Sequence, residues 1–147
     1  MTENSTKLND LIEILRDGKT FYDDASTKVT DPTLRQLFRD MSSVRGAVIA
    51  DLSAEVRMEG AKPAEGGTMA GGLRKVYADA LAALTSDKNT TYVNQLEAAE
   101  DRLLHAFEDA MKSTDSPKVA EILSRHSTKV RQMHDLMRSQ KQMRNAA

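Results

Sequence analysis

The chain has no cysteine, no tryptophan, only three prolines and an aromatic content of 4%. Without a thiol there is no disulfide, thiolate zinc site, iron–sulfur cluster or cysteine nucleophile, and a reducing, cytoplasmic setting is the expectation. So few aromatics argue against a β-sandwich or barrel, which draws on β-branched and aromatic residues. Long apolar runs are missing too: the longest aliphatic stretch, Ala47 to Ala50, falls far short of the ~20 residues that span a bilayer. Met1 to Asp10 is polar, so neither a signal peptide nor a membrane span is expected. There is no Gly-x-Ser-x-Gly elbow, and the glycine pairs Gly66-Gly67 and Gly71-Gly72 precede neither Lys-Ser nor Lys-Thr. Nothing therefore marks a nucleophile elbow or a phosphate loop.

What is present is helix-forming. The 147 residues, 39% hydrophobic and 29% charged, are the length and composition of one soluble domain spanning 1–147. Leu8, Leu11, Ile12, Leu15, Tyr22, Ala25 and Val29 recur at the three-four spacing of a core-facing helix that starts near Ser5 or Thr6. Gly18 falls on that stripe, where it costs about 1 kcal/mol against alanine, so close approach of a neighbouring backbone is expected there. Asp31-Pro32 supplies a cap followed by proline at the first helical position. A second stripe (Leu34, Phe38, Met41, Val48, Leu52, Val56) then ends at Gly60. Val93, Leu96, Leu103 and Phe107 place a third helix at about 90–112. Ser116-Pro117 opens a fourth through Val119, Ile122, Leu123, Val130 and Met137 to about Arg144.

The turns inside each pair of helices are short, which makes each pair an antiparallel hairpin, whereas residues from about 60 to 89 form a long glycine-rich connection. Within it, Leu73, Val76, Tyr77, Ala80, Leu81 and Leu84 predict an extra short helix. Two hairpins joined by one long crossover is the connectivity of a ferritin-like four-helix bundle, so the expected fold class is all-α and ferritin-like.

Leu8-Asn9-Asp10-Leu11-Ile12-Glu13, Asp17-Gly18, Phe21-Tyr22, Arg45, Leu52, Glu55-Val56-Arg57 and Gly60, followed by Gly67-Thr68, Ala70-Gly71, Leu73-Arg74, Glu97, Glu100-Asp101 and His134-Asp135, carry a resemblance. In that order the chain resembles a branch of bacterial ferritin-like four-helix-bundle proteins of uncharacterised function, a domain of unknown function. It departs after Arg74, where that branch usually carries a bulky aromatic such as tryptophan and this chain has Val76-Tyr77. The resemblance implies the fold and a bacterial, cytoplasmic, stress-linked setting, and it implies no reaction.

A di-iron carboxylate site of this fold takes inward Glu residues and Glu-x-x-His pairs. The residues three positions before His105, His126 and His134 are Arg102, Leu123 and Arg131, so no such pair exists. Glu100 nevertheless lies on the apolar stripe of the third helix, and a buried carboxylate needs a partner. Arg45, on the flank of the second stripe, and His126, which interrupts the fourth, are the candidates. The expectation is a buried charge cluster of Arg45, Glu100 and His126 with no cofactor. The alternative is an iron or other divalent-metal site using Asp24, Glu100 and His126. Asp101/His105 and His134-Asp135 read as surface contacts.

Charge is uneven along the chain. The net value is −1, yet residues 116–147 hold seven Lys/Arg against two Asp/Glu, leaving the rest of the chain acidic. No aromatic ring interleaves these cations, so nucleic-acid binding is not expected. Self-association through Arg138, Lys141 and Arg144 is the simplest partner expectation. The expected function is that of a non-enzymatic structural or interaction module; the alternative is a metal-binding oxidase or iron-binding protein with a degenerate site.

Overall fold

The computed structural model describes residues 3–67 and 87–146. Among these residues there are four helices and no strand: α1 (Glu3–Lys28), α2 (Pro32–Met58), α3 (Lys88–Ser113) and α4 (Pro117–Ala146). The expected short helix over 73–84 lies outside them.

Each boundary has a local cause. α1 begins ahead of its two candidate caps, so Ser5 is buried inside its first turn. The Asp31 carboxylate accepts from the Thr33 amide at 2.9 Å, and Pro32 needs no partner for an N–H it lacks. α2 stops where Gly60 turns to φ 79°. There the Gly60 amide donates to Arg57 O at 2.9 Å and the Ala61 amide to Val56 O at 3.1 Å, the double bond of a Schellman cap. α3 starts two residues earlier than its stripe suggests, because Asp87 accepts from the Thr90 amide at 3.0 Å and so caps it. Ser116 Oγ does the same for Val119 at 3.2 Å.

α1 packs on α2, α3 packs on α4, α1 also meets α3, and α2 meets α4 more sparsely. At one end Thr30 and Asp31 meet Asn89 (2.9 Å) and Arg144 (2.9 Å). At the other, Lys7 reaches Ser113 O (2.8 Å) and Lys118 reaches Glu55 (3.6 Å). Thus α2 and α3 run in the same direction, with α1 and α4 opposed to them. After Gly60 the chain turns back along α1: Asn9 bonds Lys62 O and the Ala64 amide, at 3.1 and 2.8 Å, and Arg16 donates to Ala64 O at 2.9 Å.

The apolar core divides in two. One cluster centres on Leu8, Ile12, Leu15, Leu52, Leu103 and Phe107, the other on Tyr22, Phe38, Met41, Tyr92, Leu96 and Met137. Between them each helix breaks its stripe once. The interruptions are Gly18 in α1, Arg45 in α2, Glu100 in α3 and His134, between Val130 and Met137, in α4.

The caps give a pH prediction. Asp31 has its pKa lowered: partial burial alone would raise it, and the bonds from the Thr33 amide and Arg144 outweigh that. Asp87 is lowered chiefly by the hydroxyl and amide of Thr90. A folded pKa below the unfolded value means stability fully present above about pH 4 and lost as pH falls through the folded value. Asp31→Ala and Asp87→Ala are each expected to cost about 0.5–2 kcal/mol at neutral pH and less at pH 3. Urea unfolding at both pH values measures this.

Candidate functional site

Gly18 leaves a gap on the core face of α1 that the Arg45 side chain fills. An ideal Cβ at Gly18 would stand 2.5 Å from Arg45 Nε and 3.1 Å from Cζ. The close neighbour is therefore a guanidinium rather than the backbone expected from the sequence. From that position Arg45 Nη2 donates to Glu100 Oε1, and the Tyr22 hydroxyl donates to the same oxygen at 2.6 Å. The guanidinium carbon also lies 5.1 Å from the centroid of the Tyr22 ring, within cation–π range.

The pair is deeply buried, with 5% of the Arg45 side chain and none of Glu100 exposed. Burial first, and then the negative charge of Glu100, push the Tyr22 phenol well above its ordinary pKa, against the pull of Arg45. Tyr22 therefore keeps its proton and acts as a donor. Arg45 Nε and Glu100 Oε2 have no hydrogen-bond partner among the described residues. Arg45 helps line a crevice of about 20 Å³ with Asp17, Gly18, Phe21 and Arg102, the size of a single water site. The arrangement closes a core and binds α1, α2 and α3 to one carboxylate.

The structure brings Arg45 and Glu100 together and places His126 elsewhere. His126 Nε2 lies 2.9 Å from Asp51 of α2, at the edge of the α2–α4 contact beside Lys129, so it is not part of the buried cluster. The buried histidine of α4 is His134, read from the sequence as a surface residue. It is 5% exposed, with Nε2 3.2 Å from Asp101 and Nδ1 3.2 Å from Asp135. The available signal was its spacing, four after Val130 and three before Met137. Tyr22 was legible as core, and its place one turn after Gly18 was the sign that it borders the gap.

The metal set does not assemble. Asp24 pairs with Lys28 at 3.3 Å, Glu100 with Arg45, and His126 with Asp51. Among the described residues no three His, Cys, Asp or Glu side chains form a group that could hold a metal ion. The groups that do converge, one guanidinium, one phenol and a single carboxylate, do not fit a di-iron pair, since a cation beside the only acidic donor opposes a dication. Asp101 and His105 are a surface contact within α3, 3.6 Å apart and largely exposed.

Among the described residues, fold and site together define an all-α arrangement of four helices whose core is split by a buried ionic layer. The chain belongs to the family described as a domain of unknown function (DUF2383), whose model matches residues 3–113, from the start of α1 to the end of α3. No curated protein matches it.

Proposed function

We propose that this protein is a ferritin-like bundle acting as a non-enzymatic structural or interaction module, with the contact of Arg45, Glu100 and Tyr22 closing the centre that a metal pair occupies in di-iron relatives of that fold. The observation that carries this is the guanidinium held against the fully buried Glu100 carboxylate. The ferritin-like connection is supported by α2 ending at the end of the bundle opposite to where α3 begins. A bacterial, cytoplasmic, stress-linked setting rests on the resemblance alone. No helix among the described residues is long and apolar enough to cross a membrane. A second copy is the proposed partner, but Lys141 and Arg144 already pair with Glu97 and Asp31 in the same chain, which leaves Arg138 as the exposed cation of that trio.

Metal-independent folding is the direct consequence. Thermal unfolding with and without EDTA should give the same Tm, since only a ligand that binds the folded state raises it. A drop of many degrees on chelation would reject the proposal.

A further inference from the structure

The basic character of the C-terminal segment has an internal use. Of the seven cations in α4, four reach acidic residues on other helices: Lys118 to Glu55 (3.6 Å), Arg131 to Glu108 (3.0 Å), Lys141 to Glu97 (3.3 Å) and Arg144 to Asp31 (2.9 Å). His126 and His134 add contacts to Asp51 and Asp101, at 2.9 and 3.2 Å. These contacts run the length of the helix, from the Glu55 end to the Asp31 end.

The apolar anchor of α4 is correspondingly thin. It buries five apolar side chains (Val119, Ile122, Leu123, Val130 and Met137) over 30 residues, none of them aromatic, whereas α1 buries seven over 26, including Phe21 and Tyr22. Against α2 it leaves a crevice of about 260 Å³ at Ser43, Val44, Ala47, Val48, His126 and Lys129. The other helices are tied differently. Two ion pairs of α1, Lys19 to Asp23 and Lys28 to Asp24, lie within that helix, and Arg45–Glu100 is buried away from salt.

We propose that α4 is an electrostatically latched helix: it docks on acidic residues of α2 and α3 and leaves the bundle as a unit when those contacts are screened, while α1, α2 and the buried layer stay folded. The four cations are 23 to 59% exposed, so salt reaches them. Each contact is weak alone, and their number on one helix with a narrow apolar strip makes the sum decisive for that helix.

Amide hydrogen exchange on the full chain, resolved by helix, tests this between about 0.1 M sodium chloride, where charges act over about 10 Å, and about 1 M, where they act over about 3 Å. Amides at 130–137 should exchange about tenfold faster or more at high salt, with those at 12–15 and 52–56 changing less than about twofold. At low salt the Lys141→Gln/Arg144→Gln variant should move α4 toward its high-salt behaviour. The charge-swapped pair Glu97→Lys/Lys141→Glu should retain protection that Lys141→Glu alone loses. Equal exchange changes in all helices, or α4 protection indifferent to salt in the unmodified chain, would overturn the latch.

Discussion

Glu100→Leu is expected to destabilise the protein by about 3–5 kcal/mol, as is Arg45→Met, because each leaves the other partner charged in the core. The two changes made together should be neutral or stabilising only once the Tyr22 hydroxyl, which also bonds Glu100, is removed as well. Coulombic attraction in a buried pair is offset by the cost of removing both ions from water, and among the described residues Arg45 Nε and Glu100 Oε2 gain no bond to help offset it. One further group counts. Tyr22 donates to the same carboxylate oxygen, so the double variant strands a buried hydroxyl at about 1–3 kcal/mol, and adding Tyr22→Phe should recover that loss. Urea unfolding of the cycle gives the coupling directly; additive single effects would show that the two residues do not act as a pair.

Gly18→Ala is expected to destabilise despite placing a better helix former in a helix interior. Alanine gains about 1 kcal/mol of helix propensity there, but its Cβ would sit 2.5 Å from Arg45 Nε and 3.2 Å from Cδ. Those atoms lie mid-chain in a side chain pinned by Glu100 and stacked near Tyr22, so the guanidinium must leave its partner or α1 must shift. A net loss of about 1–3 kcal/mol follows from forced overpacking. The sign should reverse in the Arg45→Met background, where a flexible thioether takes the place of the guanidinium and the propensity gain shows. Thermal unfolding of the four variants reads the reversal, and a stabilising Gly18→Ala in the unmodified chain would contradict the geometry.

How much of this was legible in the sequence depends on what each signal encodes. The stripes from Leu8 to Val29 and from Leu34 to Val56 specify their buried faces because apolar spacing near 3.6 has one solution per helix. Arg45 and Glu100 were legible as partners because each is a charge set into or beside such a stripe. The histidines of α4 were not. Over 30 residues an integer spacing drifts around the helix, so His126 and His134 both lie near the apolar line. The tilt of α4 on α3 decides which one turns inward. Gly18 announced a close contact, but a missing side chain carries no record of its neighbour. The surplus of cations after residue 116 was visible as a total, while its partners, Glu55, Glu97, Glu108 and Asp31, are set by packing between helices far apart in the chain.

In the proposed reading an ion pair, in the place of a metal, closes the middle of this bundle. Elemental analysis of untagged protein, purified without chelator and then exposed to iron, manganese and zinc before desalting, addresses it most directly. The structure predicts no stoichiometric metal in the unmodified chain and none lost on substituting Glu100. A stoichiometric metal that disappears in a folded Glu100→Gln variant would contradict it.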